Sequence, residues 1–382
     1  MGFVRATSHR DVAPHALARG RGRRRRAEAL RGTPAPRARC SGRAATTPCA
    51  DALGATPVPT RYTQLAWGRT AQRTTASAGS ASRRKQLARR PLRFGSGTLQ
   101  KFAWHELVER WRMLADLGFD TLWLTDHIAN PDAPHDDWFD GWTALTGLAH
   151  VAPRVRLGIL VTNITYRNPT VLAREALTLD HITDGRLELA IGPGGQESDH
   201  LITGVPYWRP SERVARFREF THLVDALLRH EQTTFAGKYY AATGAMLRPR
   251  PVQQPRPTLT IAAHGPATLA VAARYGDTWN SLGGMREGDP RAALDATRRR
   301  IEQLVAACQR IGRDPAELRY SFLAGFTPDR PFDSIDACVD FIGRYAELGI
   351  SEFVFFYRPR GVSHNQFERV IGGALPQFRN EE

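Results

Sequence analysis

Short apolar, β-branched runs alternate with longer helical patterns from Pro91 onward. This alternation is typical of repeated βα units around a parallel sheet. The predicted strands are residues 92–99, 121–125, 155–162, 186–191, 258–263, 277–282, 318–326 and 352–356. Eight strands in strict alternation favour a single closed (β/α)8 TIM barrel over residues 91–382 rather than a doubly wound sheet.

The alternation is interrupted after the fourth strand and its helix. Residues 235–239 are typical of a hairpin turn, and the prolines of residues 249–257 indicate a rigid extended connector. We therefore expect an insertion after strand four that covers one end of the barrel.

The first ninety residues differ in composition from the rest of the chain. They hold 20 Lys and Arg but only three acidic residues, so they account for the whole net charge of +15. They show no sustained apolar periodicity, and such a segment buries too little apolar surface to fold. We expect a disordered Arg-rich extension.

Several roles for residues 1–90 remain open. A basic arm could bind nucleic acid or an anionic membrane, but only Phe3, Tyr62 and Trp67 could stack on bases, so nucleic-acid binding is not expected. An Arg-rich, acid-poor leader also resembles a transit peptide or a twin-arginine signal, although no apolar stretch follows the arginines. The remaining alternative is a mis-assigned leader upstream of the true start.

The cysteines and the hydropathy of the chain bear on its cellular compartment and on whether it binds a metal. The four cysteines, Cys40, Cys49, Cys308 and Cys338, are too scattered for a disulfide framework or a zinc site. The chain contains no apolar run long enough to cross a membrane. These features predict a cytoplasmic protein without a metal site.

The second predicted strand ends in Asp126 and His127. A carboxylate beside an imidazole at the carboxyl end of a barrel strand can orient the ring, which makes His127 a candidate acid or base. A polar turn with an exposed histidine is an equally good interpretation of this pair.

Other strand ends carry residues suited to a flat, phosphorylated ligand. Val161, Thr162 and Asn163 end strand three and could contact a ring. Glycines at 192, 194 and 195 would allow close backbone approach. Residues 264–268 lead directly into a helix, whose N-terminus suits a phosphate. Each of these features is also common in ordinary loops.

Together and in this order, these pieces resemble the luciferase-like monooxygenase superfamily, and more closely its coenzyme F420-dependent branch. The resemblance covers about residues 91–360 and is carried by residues 117–127, 156–163, 167–169, 178–187, 261–266 and 274–280. Residues 178–187 are its most specific part, and residues 1–90 have no counterpart in the family.

The resemblance implies a bacterial luciferase-like barrel with a flavin or deazaflavin ring at its mouth, near His127 and Asp126. It implies a bulge with a non-prolyl cis peptide at the end of strand three, and an insertion that forms part of a substrate lid. The implied cofactor-binding residues are Thr98, Val161, Thr162, Asn163, Gly192, Gly194, Gly195, His264, Gly265, Pro266, Ala267 and Thr268. Relatives often form homodimers.

This chain departs from the family pattern at two places. Residues 95–98, Gly-Ser-Gly-Thr, replace a longer apolar first strand, which leaves the pocket floor undefined. His264 stands where small or acidic residues are usual, and its charge state would affect phosphate binding.

Coenzyme F420 would make this enzyme a hydride-transferring oxidoreductase acting on a small organic substrate, whereas FMN would make it a monooxygenase supplied by a separate flavin reductase. The loop at residues 263–266 resembles that of the deazaflavin branch more closely, and this resemblance favours coenzyme F420. A non-catalytic flavin-binding barrel, or a regulatory protein anchored by its basic arm, is the alternative from a different class.

Overall fold

The computed structural model describes residues 90–283, 288–357 and 361–379. The expected disordered extension over residues 1–90 therefore lies outside the described residues, apart from Arg90 itself. Within the described part, the strands form an eight-stranded closed barrel and a separate two-stranded sheet.

The barrel strands are parallel to their neighbours throughout, and the last strand closes against the first. They are β1 (Arg93–Gly97), β2 (Thr121–Leu124), β3 (Arg156–Asn163), β4 (Leu187–Gly192), β7 (Thr258–Ala262), β8 (Thr278–Ser281), β9 (Arg319–Leu323) and β10 (Glu352–Phe356). Each strand overlaps its predicted run, so the (β/α)8 prediction is confirmed.

The helices lie between the strands along the chain and cover the outside of the barrel. They are α1 (Trp104–Asp116), α2 (Gly141–Leu148), α3 (Pro169–Ile182), α4 (Glu197–Thr203), α5 (Pro210–Arg229), α6 (Pro266–Tyr275), α7 (Pro290–Arg310), α8 (Ile335–Ala346) and α9 (His364–Ala374). Proline occupies the first position of α3, α5, α6 and α7, where its missing N–H has no partner to lose. The sequence did not predict α4, because seven residues are too few to show a helical period.

Side chains alternate between the outer core and the barrel axis along each strand. In β10, Phe353 and Phe355 pack outward against Phe341 of α8, with ring centroids 6.2 Å apart in both cases. Val354 and Phe356 point the other way and join a separate apolar cluster on the axis.

The glycines of β1 make room for two aromatic rings on the axis. A Cβ added at Gly95 would lie 2.8 Å from Trp123 Nε1, and one added at Gly97 would lie 3.1 Å from the Phe356 ring. Gly158 faces Trp123 from β3, where an added Cβ would lie 2.6 Å from the indole. The indole of Trp123 therefore fills the space beside Gly95 and Gly158 and forms the floor of the pocket, which the sequence alone did not define.

The insertion after α5 is an antiparallel hairpin of β5 (Gln232–Ala236) and β6 (Ala241–Met246), as the turn at residues 235–239 predicted. Its following connector is held at the C-terminal end of α5, where Arg250 donates to the carbonyl oxygens of Leu228 and His230. A helix that follows a barrel strand runs back toward the strand's N-terminal end. The hairpin turns back along α5, where the N–H groups of Lys238 and Tyr239 donate to Glu219 in the middle of that helix at 3.1 and 2.8 Å. The expectation that this insertion forms part of a substrate lid stays a prediction.

Candidate active site

The third strand carries an irregularity at the mouth of the barrel. The peptide bond between Leu160 and Val161 is cis, and the pairing of β3 with β4 shifts register between Ile159 and Thr162. The bulge and cis peptide expected near residues 161–163 are therefore confirmed. The Val161 side chain lies against Gly192, and a Cβ added at Gly192 would collide with it.

Asp126 is buried in a dense set of hydrogen bonds. Its carboxylate accepts from Arg167 Nε and Nη2 at 2.6 Å each, and from the Tyr166 hydroxyl at 2.9 Å. The backbone N–H of Asn163 donates to it as well, at 2.9 Å. Burial and the neighbouring Asp126 carboxylate raise the pKa of Tyr166, so its phenol stays protonated and donates. Asp126 therefore ties the end of β2 to the loop after β3.

The carboxylate that contacts His127 is Asp199, which sequence reasoning did not identify. Asp199 Oδ2 accepts from His127 Nδ1 at 2.8 Å and from Asn163 Nδ2 at 2.7 Å, and its Oδ1 accepts from the Ile128 N–H at 3.0 Å. The Asp199 side chain has no exposed surface, whereas that of His127 is 29% exposed. The expectation that Asp126 orients the imidazole is therefore corrected, because Asp199 of α4 does so.

This arrangement fixes the chemistry that His127 can perform. With Nδ1 donating to a buried carboxylate, the neutral imidazole carries its proton on Nδ1 and leaves the Nε2 lone pair free. The backbone is held too, because Trp138 Nε1 donates to the His127 carbonyl oxygen at 2.8 Å. Gln100 holds the backbone two residues before His127, since its Nε2 donates to the Thr125 carbonyl oxygen at 2.9 Å. These contacts fix the orientation of His127, which makes it a candidate general acid or base at the mouth of the barrel.

The backbone of the glycine-rich loop after β4 lies close to a basic side chain. Gly194 and Gly195 have φ of +68° and +145°, a region that other residues rarely adopt. A Cβ added at Gly195 would lie 2.7 Å from Nη1 of Arg213, a residue of α5. Within the described residues, no hydrogen bond or ion pair engages this guanidinium. The loop and Arg213 together can bind an anion.

The loop between β7 and α6 lies beside this cradle, because β4 and β7 are neighbours in the barrel. The Thr268 hydroxyl donates to the Gly265 carbonyl oxygen at 2.9 Å and accepts from the N–H groups of His264 and Gly265 at 3.2 Å each. Its proton is thus engaged, and the expected contact of this hydroxyl with phosphate stays a prediction. The N–H groups of Ala267 and Thr268 in the first turn are the donors that a phosphate could use.

His264 is uncharged in this environment. Burial, and secondarily the nearby Arg300, lower its pKa to about 4. Its Nε2 accepts the N–H of Leu282 at 3.0 Å, so the ring proton sits on Nδ1. A neutral imidazole adds no charge to the proposed phosphate site and ties β7 to the end of β8.

Two of the expected cofactor-binding residues are buried. Thr98 and Thr162 are 1% and 0% exposed, and their hydroxyls have no hydrogen-bond partner within the described residues. The hypothesis that these two residues contact a bound ring stays a prediction. Val161 remains partly exposed and Asn163 bonds to Asp199, so these two stay candidates on that strand.

Comparison with solved structures supports the fold. The barrel matches an F420-dependent secondary alcohol dehydrogenase in complex with an F420-acetone adduct, with a TM-score of 0.65 and 17% identity over 76% of this chain and all of the other. It also matches a long-chain alkane monooxygenase, with a TM-score of 0.61 and 14% identity over 76% of this chain and 91% of the other.

A sequence model of the luciferase-like monooxygenase family matches residues 83–365. The chain belongs to this family. Among curated relatives, a phthiodiolone/phenolphthiodiolone dimycocerosates ketoreductase of Mycobacterium kansasii is 33% identical, over 69% of this chain and 75% of the relative. An F420-dependent glucose-6-phosphate dehydrogenase of Beutenbergia cavernae is 29% identical, over 76% of this chain and 98% of the relative. The chain spans 61% of the corresponding Mycobacterium tuberculosis ketoreductase.

The described residues contain neither a membrane-spanning helix nor a candidate metal site. No helix there has the length and apolar character needed to cross a bilayer. No cluster of three or more His, Cys, Asp or Glu side chains in the same part of the chain could ligate a metal ion.

Proposed function

We propose that this protein is a coenzyme F420-dependent oxidoreductase that transfers hydride to or from a small organic substrate. The observation that carries the proposal is the His127–Asp199 pair, a partly exposed imidazole held at 2.8 Å by a fully buried carboxylate beside the β3 bulge. The names of the M. kansasii and B. cavernae relatives support this reaction class.

The residues present fit a phosphorylated deazaflavin. The guanidinium of Arg213 lies against Gly195, so close that a Cβ there would collide with it, and no described residue forms a hydrogen bond or ion pair with it. This guanidinium and the N-terminus of α6 together suit a phosphate. Such a cofactor supplies the group that accepts or donates hydride, and the protein supplies binding, orientation and electrostatics. Gly192, Gly194, Gly195 and Arg213 would hold its phosphate, with residues 264–268 beside them.

His127 would hold the proton that accompanies hydride transfer. In the direction of alcohol oxidation its free Nε2 accepts the substrate hydroxyl proton, and in reduction the protonated ring returns it. Asp199 keeps the ring in one tautomer and stabilises the imidazolium that forms. Asp126 has no free lone pair directed at the substrate, so its role here is to position the loop.

A titration of the full chain with coenzyme F420, and separately with FMN, tests the proposal through the change in cofactor fluorescence. We expect tighter binding of the deazaflavin. The same residues would also suit the phosphate of FMN, so a preference for FMN would instead indicate a monooxygenase that needs a flavin reductase. Binding of neither cofactor would refute the proposal.

The contribution of Arg213 can be separated from general charge effects. Arg213→Gln is expected to raise the Kd for coenzyme F420 roughly tenfold or more, because a charge-assisted hydrogen bond is lost. Arg218→Gln, an exposed position on the same helix, removes the same charge and should leave Kd unchanged. Equal effects of the two substitutions would remove Arg213 from the phosphate site.

A further inference from the structure

One side of the barrel mouth is lined by an apolar wall, defined here as Leu282, Leu323, Phe326 and Phe356, which Leu160 of β3 meets from across the axis. The wall residues come from the ends of β9 and β10 and from the loops that follow β8 and β9. Leu160 and Leu323 are 8% and 5% exposed, whereas Leu282, Phe326 and Phe356 keep part of their surface open. Apolar surface left open in a concave mouth is typical of a small-molecule site.

Packing contacts hold the aromatic rings of the wall in place. The Phe356 ring lies between two glycines, 3.1 Å from a Cβ added at Gly97 and 3.8 Å from one added at Gly325. It meets Phe326 edge to face, with ring centroids 5.8 Å apart. Trp123 closes the floor below. A side chain at Gly97 would crowd the ring, so this glycine helps to keep the aromatic surface in one place.

Polar groups are segregated to the other side of the mouth. His127, Asn163 and Asp199 belong to the loops after β2, β3 and β4. On the described strands of the wall side, inward polar side chains lie below Leu323: Asn280 and Ser321 hydrogen-bond to each other at 3.0 Å, and Glu352 is paired in register with Ser321. A sugar hydroxyl placed against the wall would lose its water without gaining a partner, which is costly.

We infer that the substrate is an apolar secondary alcohol or ketone whose hydrocarbon part packs on this wall. The inference rests on the proposed function. In oxidation, the carbinol C–H bond breaks and its hydrogen leaves with two electrons for the deazaflavin ring. The hydroxyl proton passes to His127 Nε2 and then to solvent, and the C–O bond becomes the carbonyl. Reduction of the ketone is the reverse, with the reduced deazaflavin as hydride donor.

A homologous series measures the apolar contact directly. The full chain with coenzyme F420 would be assayed with 2-propanol, 2-butanol, 2-hexanol and 2-octanol, and with glucose 6-phosphate as a polar competitor. We expect kcat/KM to rise about fourfold per added methylene until the wall is covered, because each buried methylene contributes that factor. A flat series, or a preference for glucose 6-phosphate, would overturn the inference.

Variants assign the effect to the wall. Phe356→Ala and Phe326→Ala are each expected to lower kcat/KM for 2-octanol at least tenfold, with smaller losses for 2-propanol, because the long chain loses more contact. Phe235→Ala is the matched control, since this partly buried phenylalanine lies on β5 of the hairpin, where its ring packs against His222 of α5 with ring centroids 5.2 Å apart. If Phe235→Ala had the same chain-length effect, the wall would not be the binding surface.

The cofactor titration keeps the two proposals apart. If wild-type protein binds coenzyme F420 but shows no chain-length dependence, only the substrate inference fails. If coenzyme F420 does not bind, the proposed function itself fails. The wall variants should retain the wild-type Kd for coenzyme F420. A large rise in this Kd would show that the wall holds the cofactor instead.

Discussion

Replacing Asp199 with Asn tests whether a buried carboxylate controls the imidazole at the mouth. Asp199 accepts three hydrogen bonds, from His127, Ile128 and Asn163, at 2.8, 3.0 and 2.7 Å. In Asp199→Asn the side chain is nearly isosteric, but one of its two oxygens becomes a donor. If the new amide faces His127, it donates to Nδ1, and the ring proton moves to Nε2, which removes the base.

The expected loss follows from the role assigned to His127. General acid or base catalysis contributes about 10²- to 10⁴-fold, so kcat should fall within that range if the tautomer is inverted. A donor left facing the new amide also costs roughly 1–3 kcal/mol of the free energy of unfolding. Urea unfolding of the variant would show that the protein remains folded under assay conditions.

The assay is steady-state oxidation of 2-octanol with coenzyme F420, or of the best alcohol found, with cofactor Kd measured separately. We expect kcat to fall while the Kd for coenzyme F420 stays within about threefold of wild type, since Asp199 acts on a proton rather than on the phosphate cradle. Glu197→Gln on the exposed face of the same helix is the control and should leave both values unchanged.

A double-mutant cycle decides whether Asp199 works through His127. His127→Ala alone should lower kcat by at least as much as Asp199→Asn. Adding Asp199→Asn to His127→Ala should then have little further effect, because the group it positions is gone. Full additivity of the two losses, or a wild-type kcat in either single variant, would refute the reasoning.

Three further predictions follow from the geometry around the mouth. The pKa of His264 is lowered to about 4 from an ordinary value of 6.5, so unfolding takes up a proton between these values. The free energy of unfolding should therefore fall by up to roughly 3 kcal/mol as pH drops from 7 through 4. In His264→Gln, the free energy measured by urea unfolding should depend less on pH across that window. Gly195→Ala should weaken coenzyme F420 binding in a fluorescence titration, whereas Gly204→Ala, with φ of +71° and open space around it, should only destabilise the fold. Arg167→Met leaves the Asp126 carboxylate buried without its ion pair and should cost about 3–5 kcal/mol in urea unfolding, while a loss under 1 kcal/mol would contradict the buried pairing.

The barrel could be predicted from the sequence because its signal is local. Alternating apolar runs and helical periods mark each strand and helix without knowledge of the others. The same local pattern placed His127 at a strand end, and family resemblance predicted the bulge at Val161. The insertion was predicted from its own turn and prolines, but its packing against Glu219 of α5 was not, because that contact joins residues far apart in the sequence.

Asp199 could not be found by the same reasoning. It lies 72 positions after His127, on a helix of seven residues that no periodicity reveals. What pairs the two side chains is the adjacency of the loops after β2, β3 and β4, a property of the closed barrel. Asp126 was the nearer carboxylate in sequence, yet Arg167 and Tyr166 take up its oxygens.

The segment that most specifically resembles the family, residues 178–187, belongs to the scaffold. Asp180 accepts from the backbone N–H and the side chain of Gln253, at 3.0 and 2.7 Å. Arg186 donates to the carbonyl oxygens of Ala149 and Val155, at 2.7 and 2.8 Å. These contacts lie at the end of the barrel away from the mouth, so they fix how the barrel closes without touching a ligand. Family membership therefore specifies the frame, and the choice between a sugar phosphate and an apolar alcohol depends on side chains at the mouth that this segment does not constrain.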